Sequence, residues 1–137
     1  MSVNEVKFRQ IHLDFHTSEL IEGVGNDFDA ERFAATLDEA RVDSINLFVR
    51  CHHGMMYYDS KKFSERVHLH LKGRDILKQQ AEACRKRGIH VNLYITVRWD
   101  VYSYTEHPNG WRSMRKAVTA TTRREVTSRL VFTGIFA

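Results

Sequence analysis

The chain has 137 residues, 42% of them apolar and one of them proline, which suffices for one modest core and argues against a disordered or low-complexity protein. The net charge of +4 hints at nucleic acid, but residues 109–137 hold six basic residues and one acid, while residues 1–108 hold 15 basic and 16 acidic. The body therefore carries no basic stripe, and no nucleic-acid partner is expected.

MSVNEVKFRQ, at the N-terminus, lacks the apolar core of a signal peptide, and no later run has the length and apolarity to span a bilayer. Cys51 and Cys84 stand alone rather than in a CxxC pair, which suits a reduced compartment. A cytoplasmic protein with no membrane partner is expected.

RQIHLDFHTS, residues 9–18, reads as a strand with Ile11, Leu13 and Phe15 on one face and His12, Asp14 and His16 on the other. After the glycine-bearing EGVGND, Asp27 or Asp29 can cap a helix over 30–40, whose apolar positions are Phe33, Ala34, Leu37 and Ala40. SINLFVRC, residues 44–51, is a second strand. A second helix is predicted over 73–87, burying Ile76, Leu77, Ala81 and Cys84 and ending at Lys86-Arg87-Gly88. Residues 89–97 make a third strand.

This alternation is the pattern of a parallel sheet built by helical crossovers. Polar residues gather where each strand gives way to its loop: Asp14 and His16, then His52 and His53, then Arg98, Trp99 and Asp100. That edge is where α/β proteins place their chemistry. Three strands are few for a doubly wound sheet and well short of the eight of a closed barrel.

The stretch LFVRCHHGMMYY, residues 47–58, admits several readings. Adjacent histidines on a regular strand face opposite ways and share an ion with difficulty, and neither HExxH nor a structural zinc spacing is present. Asp14, His16 and one of the pair could nevertheless meet across neighbouring strand ends. Cys51 beside His52 is weak evidence for a nucleophile, because catalytic partners are adjacent in space rather than along the chain, and a small buried strand residue is the simpler reading. A sugar-sized pocket is the third possibility. There His52 and His53 would donate to hydroxyls, Tyr57, Tyr58 and Trp99 would offer flat faces, and Gly54 would permit the tight turn. The plain alternative has one histidine satisfied by backbone and the tyrosines closing the mouth of the sheet.

Three segments, RQIHLDFHTS, FDAERFAATLDEARVDSINLFVRCHHGMMYYDSK and ACRKRGIHVNLYITVRWD, resemble the start of a family of glycoside hydrolases related to the α-L-fucosidases. The fucosidase HHDG is matched by His52, His53 and Gly54, without its aspartate. The resemblance covers residues 8–108 and implies the first three β/α units of a (β/α)₈ barrel, hence an α/β fold with a partial barrel over 1–108 and an atypical basic tail over 109–137. It implies sugar contacts from His52, His53, Asp14, His16 and Trp99, and neither a metal nor an organic cofactor. The carboxylate pair that cleaves glycosides belongs, in such barrels, to later strands. No catalytic residue is assigned here, and this chain by itself is expected to be inactive.

Relatives are expected to continue past His107-Pro108 with a polar segment, where this chain turns basic. In a G- and C-rich gene, one base restored after the proline codon gives a polar text without the excess charge. A single-base deletion near codon 108 is the expectation that follows; the alternative is a genuine helix and the short strand LVFTGIF. Outside the hydrolase reading, the chain is a small α/β carbohydrate-binding or interaction module, able to self-associate through an open sheet edge.

Overall fold

A computed structural model describes residues 7–71, 73–97 and 99–109. The tail reading, on residues 109–137, lies outside the described residues from 110 onward, as does Arg98. The chain divides into two units, residues 1–100 and 101–137.

In the first unit three strands, β1 (Gln10–His12), β2 (Ser44–Arg50) and β3 (His90–Ile95), form one sheet in the order β1-β2-β3. Both pairings are parallel, with Gln10 opposite Ser44 and Ser44 opposite His90. Between them run α1 (Ala30–Glu39) and α2 (Ile76–Lys86). Strand, helix, strand, helix, strand in a sequential parallel sheet is the architecture of a partial, unclosed (β/α) barrel.

Local chemistry fixes the helix ends. Asp29 accepts a hydrogen bond from Arg32 N at 2.9 Å and Asp75 one from Lys78 N at 2.8 Å, each satisfying a donor that the first turn leaves open. At the far end of α2, Gly88 takes φ +73°, and its N–H reaches Arg85 O.

The two helices pack on one face of the sheet. Ile45 and Leu47 of β2 are buried there against Ala34, Leu37, Leu77, Ala83, Cys84 and Ile89. This alternation of β2 gives the core its register, and burying each large aliphatic side chain contributes about 1.5–3 kcal/mol.

The opposite face is polar at its base. Gln10 Nε2 donates to Asn46 Oδ1 at 2.8 Å, Asn92 Nδ2 to Ser44 Oγ at 2.9 Å, and Asn46 Nδ2 lies 3.3 Å from His12 Nδ1. An aromatic layer caps these bonds: Phe48 lies 4.4 Å from Tyr94 and 5.1 Å from His12 between ring centroids.

Several boundaries differ from the sequence expectation. Only residues 10–12 of the predicted first strand join the ladder; Leu13 stands 42% exposed, and farther along Phe15 O and Thr17 N bond to Tyr57 instead. Ala40 is an exposed cap rather than part of the buried stripe of α1. The second helix begins at Ile76, and Ala83 joins Ile76, Leu77 and Cys84 in its buried set. The intervening loop carries two short 3-10 turns, Ser64–Arg66 and Leu69–Leu71.

In the second unit, α3 spans Val101–Glu106, and Thr105 Oγ1 donates to Val101 O. Among the described residues no helix is long and apolar enough to cross a membrane.

Candidate functional site

The carboxyl ends of the strands bring together most of the residues singled out by sequence. From the exit of β1, Asp14 Oδ1 lies 2.7 Å from His16 Nε2 and 3.9 Å from His12 Nε2. From the exit of β2, the ring of His52 lies 4.6 Å from that of His16 and 4.3 Å from that of His53. The edge of His16 also meets Phe48 at 5.4 Å and 85°, so the aromatic layer forms the floor of the cluster. Gly54 adopts φ +92° and donates to Cys51 O, making the tight turn that carries the two histidines. Trp99 lies on the loop after β3 and is 64% exposed.

Burial holds the pKa of His52 below its ordinary value; His53 and His16 add to the effect, and Asp14 opposes it. A neutral imidazole at neutral pH can donate from one nitrogen and accept at the other.

Tyr57 is no sugar platform. It is 1% exposed, and its hydroxyl accepts hydrogen bonds from Thr17 N at 3.1 Å and Thr17 Oγ1 at 2.9 Å. The same hydroxyl donates toward Cys51 Sγ at 3.0 Å and Phe15 O at 3.3 Å. Burial, then the bond to Cys51, raises its pKa far above the physiological range, so the donor keeps its proton. These bonds grip the residues on either side of His16 and thereby aim it at His52.

Comparison with known proteins gives the family. The family model described as hypothetical glycosyl hydrolase 6 matches residues 29–131. The chain belongs to that family. Among solved structures it is similar to α-L-fucosidase isoenzyme 2 from Paenibacillus thiaminolyticus, at 39% identity and a TM-score of 0.69 over 75% of this chain. It spans 15% of the length of that enzyme. An α-L-fucosidase from Bacteroides thetaiotaomicron is similar over 50% of this chain and 15% of its own, at 28% identity and a TM-score of 0.46. No curated protein matches. The family match runs past residue 108 and takes in most of the basic segment.

Two further features of this glycosyl hydrolase family member escaped the sequence reading. Asp100, which the sequence placed at the end of the third strand without a partner, is 10% exposed at its side chain. It binds Arg66 Nη2 at 2.8 and 3.0 Å and Arg50 Nη1 at 3.0 Å. Arg50 Nη2 also donates to Thr96 O at 2.9 Å, so the ends of β2 and β3 are fastened to the loop between them. His68 is 1% exposed, its Nε2 lies 2.9 Å from Ser18 O, and its Nδ1 accepts from His70 N. Its place in VHLHL, a histidine between apolar neighbours, was the available signal.

Proposed function

We propose that Asp14, His16, His52, His53 and Trp99 supply one side of the sugar pocket of a barrel enzyme that hydrolyses a glycosidic bond. His52 and His53 bind sugar hydroxyls, Asp14 orients His16, and Trp99 offers an apolar face to the ring. The observation that carries this reading is the Asp14–His16–His52 contact at the carboxyl edge of a parallel sheet, in a chain 39% identical to an α-L-fucosidase. A 6-deoxy sugar such as L-fucose is the first ligand to try.

Hydrolysis needs two carboxyl groups on opposite sides of the anomeric carbon. Among the described residues at this edge, Asp100 is held between two guanidiniums and Asp14 against His16. A catalytic pair is not evident, and on this reading these residues bind without cleaving. Nuclear magnetic resonance titration of the chain with L-fucose, beside a panel of aryl glycosides, tests both halves. The expected outcome is weak binding that His52→Ala abolishes, with no turnover. Absence of any sugar-induced shift would sink the pocket, and turnover of an aryl glycoside would sink the inactive reading. The second reading, a non-catalytic interaction module, is favoured by the open edge of β3 and its exposed Leu93 and Ile95.

A further inference from the structure

Three side chains at the strand ends, two of them among the proposed sugar contacts, together carry the donor atoms of a metal site. Cys51 directly follows β2 and is wholly buried, His52 is its neighbour, and His16 comes from the exit of β1. One donor atom from each of His16, Cys51 and His52 lies within 4.8 Å of the other two. We propose that these residues form a binding site for a thiophilic cation of the zinc class.

The donor set decides the class of ion. One sulfur and two imidazole nitrogens suit Zn²⁺ and its softer neighbours, whereas Mg²⁺ and Ca²⁺ take oxygen. Zinc bonds of about 2.0–2.3 Å in a tetrahedron put ligand atoms about 3.5 Å apart. The donors, within 4.8 Å of one another, therefore close by about 1.3 Å at most, within reach of small rotations of two partly exposed imidazoles.

The surroundings are those of a metal site. Asp14 Oδ1 lies 2.7 Å from His16 Nε2, the carboxylate–histidine arrangement that orients metal-bound imidazoles, so that His16 would ligate through Nδ1. The Tyr57 hydroxyl, 3.0 Å from Cys51 Sγ, donates to the sulfur and holds it in place. Binding releases the Cys51 thiol proton as the sulfur–metal bond forms, so affinity rises with pH. The fourth position is left to water or a solute.

Titrating the reduced full chain with Co²⁺ alone, then displacing it with Zn²⁺, tests the site. One equivalent should give a thiolate-to-cobalt charge-transfer band in the near ultraviolet and the visible absorption of a four-coordinate ion. Cys51→Ser should abolish the band, and Asp14→Asn should weaken binding about 10–100-fold. Cys84→Ala removes the other thiol, which lies in the helix-side core, and should leave the titration unchanged. Should Cys51→Ser fail to fold, His52→Gln at a partly exposed position serves instead, with at least a tenfold loss expected. Cobalt binding without a thiolate band, or undiminished in Cys51→Ser or His52→Gln, overturns the proposal, as does no binding at all.

Discussion

Tyr57 and His68 are two buried polar side chains whose work is to hold backbone. Each replaces lost hydration with specific hydrogen bonds, the condition for burying such groups at all. Their roles were not legible in the sequence because neither composition nor period says which loop residue turns inward. Tyr57 looked like a flat face for a ligand, and only the path of residues 13–17 beside it makes it an anchor. The histidines at 16, 52 and 53 were easier to read: strand alternation and the glycine at 54 already aimed them at one edge. His68 also yields a prediction with a definite sign. Burial, its largest influence, lowers its pKa from the ordinary 6.5, with the Ser18 carbonyl opposing. The unfolded chain then binds this proton more readily than the folded one. Stability is complete above that pH and falls as pH drops through 6.5 toward the folded value. Thermal melts between about pH 8 and about pH 5 should show this loss, reduced in His68→Gln, whose amide can still donate to Ser18 O. An identical slope in the variant would assign the loss elsewhere.

At the scale of elements, helices were read well because caps and spacing are local. Asp29 and Gly88 were read from their own turns, whereas the equally local cap at Asp75 was missed and the second helix was started three residues early. Strand length was read less well, since a strand ends where its partner stops accepting bonds, and that depends on a distant segment. β1 ends at His12 although alternation continues to His16. Glycine offers a direct test of local against tertiary constraint. Gly25 and Gly88 have nearly the same dihedral, φ +70° and +73°, but a Cβ on Gly25 would sit 2.0 Å from Ile76 Cδ1, whereas one on Gly88 meets nothing within 4 Å. Gly88→Ala should cost about 1–2 kcal/mol in urea unfolding from backbone strain alone. Gly25→Ala should cost a further 1–3 kcal/mol or so, because Ile76 is buried and must be displaced. Equal losses would show that the loop moves away from α2 at little cost.

For the whole molecule, the class of fold followed from the order of elements, and so did its openness, because three strands are too few to close a barrel. β3 pairs with β2 on one side only, and among the described residues its other edge has no strand. Leu93 and Ile95 on β3 are 58% and 50% exposed, and the adjoining Val97 is 73% exposed. An unpaired edge beside apolar side chains is a template for association. Light scattering over a range of concentrations should find association of the purified chain, suppressed by Ile95→Lys. A monomer at all concentrations, with or without the lysine, would mean that this edge is protected.

The carboxylate shared by Arg50 and Arg66 also determines where this chain can be shortened. A piece ending at Val97 would keep every strand and both main helices, yet it would lose the Asp100 carboxylate that joins the two guanidiniums. Their repulsion would push the end of β2 away from the loop that returns to it, and the turn bearing His52 and His53 begins one residue later. A minimal domain intended to preserve this recess should therefore run through Asp100, three residues beyond what the core alone requires.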